Sequence, residues 1–420
     1  MPEKTADMLS PPFDLDGYAA VDLRRALERL REGLYDPLAV RLLTAHHEEL
    51  DTRFQHDLHT LEAGATGHLC VCGAYGQGKS HTLAYLKARA LEQGYAVSAI
   101  HLDPREVPWH LWRQVYRAFM AALTLPGSPD GMAALEVFIH AWSAWAQSQP
   151  LTALDPSISL AGLLPAGMPH VFKAILVALT QPTSELSPLQ QATARYRDFR
   201  PAVFPSTLRR ALSGEAVPGT ALRAALKYRQ VSFYHQASLS LVGDEPFLRM
   251  LVALAQLFRR LGYKGWVLLC DEAEAIAQVR RPARARGYRL LHRLLCPDGP
   301  QPGLYPVFAF TPDFFQRLQQ EDFSDPLFDR DYAQAWRHLS TYHLRGLSAA
   351  AWQEICGALI ALHAAAYCWP AEPAHLMPVL SARLQTLRLQ EPRFVLKALV
   401  DELDQVQQQA FFVHRFGSRG

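Results

Sequence analysis

Residues 68 to 94 read HLCVCGAYGQGKSHTLAYLKARALEQG, and this stretch decides the fold. Four apolar residues run into a glycine loop, and the loop runs straight into a helical period. The loop, Gly73-Ala-Tyr-Gly76-Gln-Gly78-Lys79-Ser80, matches G-x-x-x-x-G-K-[ST] at every fixed position. Each part has a task. Glycines let the backbone N–H groups wrap a phosphate, and the following helix offers its positive end. Lys79 reaches the β and γ phosphates and Ser80 ligates Mg2+. Gly73, Tyr75, Gly76, Gln77, Gly78, Lys79, Ser80 and His81 are therefore the candidate nucleotide-binding residues, with ATP and Mg2+ as the expected ligands.

Further apolar runs appear at 95–103, 265–272, 305–313 and 340–347. Apolar runs alternating with helical stretches predict a parallel sheet covered on both faces. About 160 residues separate the second run from the third, far more than a crossover needs, so residues 105–245 are expected to hold an inserted helical subdomain. Its helices are expected in 107–125, 136–149, 170–180 and 188–200. Residues 1–62 read as an amphipathic helical lead-in, 63–347 as the α/β core carrying the insertion, and 348–420 as a helical lid.

The run Trp266-Val-Leu-Leu-Cys270 ends in Asp271-Glu272, at the sheet edge where ligands bind in such folds. Asp271 is placed to hold Mg2+ through water and Glu272 to activate the attacking water, so the pair implies hydrolysis. An acidic helix cap would account for one of the two acids. Glu274 reads as a solvated or helix-start acid. Thr311 follows the next strand and puts a hydroxyl beside the expected γ-phosphate, although Thr-Pro is also an ordinary turn. Arg393 lies in the first turn of a late helix that starts at Pro392. A cation there opposes the helix dipole, which points to an outside anion or to a plain surface arginine.

The 420 residues carry 42 basic and 40 acidic side chains, 35 of the basic ones being arginine, and a formal charge of +2. That balance excludes a surface that is cationic throughout and leaves nucleic acid to a local patch. The densest lies behind the acidic pair, where Arg280, Arg281, Arg284, Arg286, Arg289 and Arg293 fall in 280–293. It reads either as a phosphate-contacting surface or as a solvated helix flank. The six cysteines have no C-x-x-C spacing, which signals neither a zinc site nor a disulfide framework and suits a reducing cytoplasm. The amino terminus lacks an export pattern. Prolines break the weakly charged stretch from 136 to 173, so it is expected to be buried rather than membrane-spanning. His46, His47, His56 and His59 read as surface histidines. Ala211-Leu-Ser-Gly214-Glu215 is similar to the signature loop of ABC transporters but lies too far upstream of Asp271, and is expected to be a helix end closed by glycine.

The order of phosphate loop, Asp-Glu strand, strand-end Thr311 and helical tail with Arg393 resembles AAA+ ATPases of the initiator and loader branch. More specifically, GAYGQGKSH, LFRRLGYKGWVLLCDEAEAI, VFAFTPDFF and EPRFVLKALVDELD resemble the ATP-binding proteins of BREX phage-defence systems, the smaller BrxD type above all. The resemblance runs over most of the chain and is weakest over 120–245. It implies a P-loop AAA+ parallel sheet with a helical insertion and a C-terminal lid. Thr311 would then be sensor 1 and Arg393 sensor 2. A trans-acting arginine would precede the last strand, Arg337 first and Arg330 second. The implied partners are ATP, DNA, a helicase or other defence protein, and further copies of the chain, without a membrane. The competing reading is a nucleotide-dependent protein-interaction switch or scaffold with no direct DNA contact.

Overall fold

A computed structural model describes residues 15, 17–34, 36–45, 48–128, 133–150, 152–180, 203–236, 239, 241, 243–387 and 391–416. Among them lies one six-stranded sheet: β1 (Leu69–Cys72), β2 (Ala96–His101), β3 (Leu123–Thr124), β4 (Trp266–Asp271), β5 (Leu304–Phe310) and β6 (Thr341–His343). Their spatial order is β3-β2-β4-β5-β1-β6. The protein is α/β, and the sheet is mixed. β2, β4 and β5 run parallel, whereas β3 lies antiparallel to β2 through Val97–Thr124 and Ser98–Leu123. The expectation of a wholly parallel sheet is corrected at that edge. β3 has only two residues and follows directly on the helix Trp112–Ala121, too short to register as an apolar run in sequence.

By its internal contacts the chain divides into two compact units, Met1–Phe54 with Val71–Ala88 and Tyr342–Gly420, and Gln55–Cys70 with Arg89–Thr341. In the second unit, β4 and β5 are buried along nearly their whole length, as five to seven continuous apolar residues require. Trp266 is fully enclosed between Phe119 and Phe258. Its indole N–H donates to Ser98 Oγ (3.1 Å), and that hydroxyl donates to the Phe119 carbonyl (2.8 Å), so the two buried polar groups satisfy each other and the backbone. The insertion is helical over Ala134–Gln147, Pro156–Gly162, His170–Thr180, Val203–Leu212 and Gly219–Tyr228. The weakly charged stretch that invited a membrane test supplies helices that bury Phe138, Ile139, Trp142 and Leu160, and the helix His170–Thr180 that starts within it buries eight of its eleven residues. The helix expected over 188–200 lies outside the described residues. Val203–Leu212 ends at Gly214 with φ +87°, and the Glu215 N–H returns to the Arg210 carbonyl, the glycine-closed end expected there.

In the first unit, the lead-in helices Ala20–Arg31 and Pro37–Leu43 and the tail helices Ala349–Tyr367, Pro373–Thr386 and Pro392–Phe416 share one apolar core, built on Leu23, Leu27, Leu359, Leu380, Leu399 and Leu403. Asp36 starts the second helix by accepting from the Leu38 N–H (2.9 Å), and Ser348 starts the first tail helix by accepting from Ala351 (3.1 Å). Arg31 forks onto Asp404 (2.6 and 2.9 Å), which in turn bonds the buried His363 (2.9 Å). Burial holds that imidazole's pKa below its usual value. Ala349–Tyr367 is long and apolar enough to cross a membrane, but half of its most apolar stretch is buried inside the protein, as a core helix requires. Leu359 has no exposed surface. Leu359→Ala is expected to lower stability by about 2–5 kcal/mol in denaturant unfolding, with Val21→Ala, 69% exposed, changing it by less than about 0.5 kcal/mol.

Candidate nucleotide-binding site

The loop after β1 and the start of the last helix meet within the first unit. Gly76 and Gly78 take φ of +76° and +93°, the left-handed region that a side chain would strain, and this bends the chain into a cradle. Gln77 closes the bend by accepting from the Ala74 N–H with its own Oε1 (2.6 Å). Lys79 is buried, and its ammonium donates to the carbonyls of Gly73 (3.0 Å) and Ala74 (3.2 Å). The cation is thereby held across the loop that its charge would serve. Ser80 follows in the first turn of Lys79–Glu92, and Thr82 donates back to the Gly78 carbonyl (3.0 Å). His81 faces away from that task. Its Nε2 lies 2.7 Å from Thr44 Oγ1, and burial pushes its pKa down to about 4.

Arg393 reaches the same loop from a position 318 residues later in the chain. Its guanidinium lies 5.6 Å from the centre of the Tyr75 ring and 4.9 Å from that of Phe394, with Tyr75 Oη 3.5 Å from one of its nitrogens. Glu391 accompanies it, with Oε2 3.1 Å from Arg393 Nε. Sequence reasoning singled out Arg393 and missed Glu391. The only available signal was its place immediately before the helix-starting Pro392.

In the second unit, β2 and β4 end level, with His101 opposite Asp271. Glu272 follows with φ +52°, a left-handed conformation that is strained for a glutamate and that gathers at functional sites. Its N–H donates to Asp271 Oδ1 (2.9 Å), and its Oε2 lies 3.3 Å from His101 Nε2. His101 was not singled out in the sequence, and its signal was its place at the end of β2. Glu274 falls within the short 3-10 turn Ala273–Gln278. Thr311 sits beyond the end of β5 and starts the helix Pro312–Gln320 without a side-chain cap bond. Arg337 is exposed and has no carboxylate partner among the described residues, whereas Arg330 is engaged by Asp329 and His292.

The arginine-rich segment forms the helix Arg281–Leu295. Most of its cations are paired inside the chain. Arg281 meets Asp325 (3.0 Å) and Arg284 meets Glu321 (2.6 Å). Arg286 forks onto Asp244, at 2.6 Å for each contact, Arg289 faces Asp329 and Arg293 faces Glu245. Arg280, just before the helix, is exposed and has no carboxylate partner among the described residues. His46 and His47 lie outside the described residues.

Among the described residues no cluster of three or more His, Cys, Asp or Glu side chains could hold a metal by itself. Mg2+ is ordinarily bound by one or two protein oxygens together with substrate phosphates, and Ser80 and Asp271 are oxygen donors of that kind.

The family model described as BREX system ATP-binding protein BrxC/D matches residues 21–158 and 235–415. The gap between the two matched segments falls within the helical insertion. No curated protein and no solved structure matches the chain.

Proposed function

The chain belongs to the BREX system ATP-binding protein BrxC/D family, and from that premise we propose that it is an Mg2+-dependent ATP hydrolase of the P-loop AAA+ type. The observation that carries the reading is the Gly73–Ser80 loop, with buried Lys79 across it and Arg393 of the last helix at its Tyr75. In this reading the loop binds the triphosphate through backbone N–H groups and Lys79 offsets its charge. Ser80 and Asp271 are the residues that would hold the metal ion, which would supply positive charge to offset that of the triphosphate. Glu272 orients and deprotonates the attacking water, and His101 positions Glu272. Thr311 and Arg393 act as γ-phosphate sensors. Arg337 acts in trans within a homo-oligomer. Steady phosphate release from Mg-ATP, lost on chelation of the metal, is the expected result; release unchanged by chelation would defeat the metal's part in the reading.

The reaction drives action on DNA, or the loading of a helicase or other DNA-processing partner, in cytoplasmic defence against phage. Support is the family's BREX description and the run of arginines behind Glu272. A second reading, a nucleotide-dependent protein-interaction switch, is favoured by the ion pairs that occupy five of those six arginines. Changing Arg280, Arg281 and Arg284 together to alanine separates the two. Contact with DNA predicts that the slope of log affinity against log salt falls by roughly 0.9 per lost phosphate contact, and an unchanged slope supports the switch.

A further inference from the structure

Glu391 is a carboxylate in a place prepared for anions. A Cβ placed on Gly76 would stand 2.5 Å from Glu391 Cδ and 2.7 Å from its Oε2. The side chain therefore lies directly on the middle glycine of the phosphate loop. Its Oε2 is shut off from solvent, with Arg393 Nε 3.1 Å away. That arginine is held between the rings of Tyr75 and Phe394 while it faces Glu391. Three features of the loop thus converge on one acid: the volume over Gly76, the cation brought by the last helix, and the exposed Tyr75 that backs this cation.

An anion that enters the loop meets this arrangement as a competitor. A phosphate cannot share the space over Gly76 with a carboxylate, both because of volume and because like charges a few ångströms apart repel. While Glu391 lies 3.1 Å from Arg393 Nε as its ion-pair partner, the charge of Arg393 is offset and is not fully available to a phosphate.

We propose that Glu391 is a positioning residue acting as a carboxylate latch: it closes the start of the last helix onto Gly76 and reserves Arg393, and the bound triphosphate displaces it and takes over the arginine. The latch rests on the reading of the loop as a nucleotide site. It makes ATP binding weaker than the loop alone would give, and it couples binding to movement of the helix that begins at Pro392. Occupancy of the loop is thereby reported to the tail helices that share the core of Leu359 and Leu403.

The test is equilibrium binding of ATP, followed by calorimetry, to the full chain carrying Glu391→Gln, Glu391→Asp or no change. Glutamine keeps the shape and removes the charge, so ATP is expected to bind about tenfold tighter. Aspartate keeps the charge but is one methylene shorter, and an intermediate gain is expected. A second readout excludes a merely structural effect: the wild-type affinity should rise and fall with salt differently from that of Glu391→Gln, because only the former loses a like-charge repulsion by screening. Equal or weaker ATP binding by both variants, with a folded wild-type chain that binds ATP, would overturn the latch alone. Failure of the wild type and of both variants to bind ATP would overturn the nucleotide reading, and the latch with it.

Discussion

Replacing Lys79 with alanine is expected to abolish ATP binding for practical purposes, with a loss of about a hundredfold or more in affinity. The ammonium is buried and already desolvated, and it is fixed by the Gly73 and Ala74 carbonyls on the inner side of the loop. A phosphate that meets it gains a charge-assisted bond with little reorganisation. The substitution removes that charge and leaves two carbonyls without their donor, so a small loss of stability should accompany the loss of binding. Titration with ATP beside a denaturant unfolding curve separates the two effects. Binding that survives in a folded Lys79→Ala protein would remove the loop from the account.

The second large effect is expected at Glu272. Glu272→Gln keeps the side chain's size and its hydrogen-bonding capacity towards His101 but loses the base, so phosphate release should fall by about 10²–10⁴-fold while ATP affinity stays within about twofold. The strained backbone at this residue, φ +52°, aims the carboxylate independently of its charge and should survive the change. A drop in affinity equal to the drop in turnover would instead mark Glu272 as a binding group.

The candidate residues that sequence alone could single out are those grouped locally along the chain. The loop's glycines, Lys79 and Ser80 fall within eight consecutive residues, and Asp271-Glu272 end a single apolar run. Arg393 was legible for a different reason, the unfavourable place of a cation at a helix start. The structure supplies part of the answer from within the chain, since Glu391 and two aromatic rings already accommodate it. What escaped depends on distant partners. Glu391 on Gly76 joins residues more than three hundred positions apart, and no spacing rule links them. His101 gains its place beside Glu272 from the register of β2 with β4. The arginine helix looked like an open cationic face because Asp244, Glu321, Asp325 and Asp329, which pair with it, are spread over other segments. The antiparallel β3 escaped because two residues carry no period.

The fold followed the same division. Continuous apolar runs gave β1, β4 and β5, and the amphipathic periods gave the lead-in and tail helices. That lead-in and tail would share one core could not be read from either stretch separately, because each has its own apolar face and nothing in its period names the partner.

The most direct test of the central claim is phosphate release from Mg-ATP by the purified full chain, measured together with ATP retained on the protein, for wild type and Glu272→Gln. Release by the wild type and, in the variant, retained ATP without release are the expected results. A wild type that neither holds nor cleaves ATP, or a variant that cleaves at the wild-type rate, would contradict that claim.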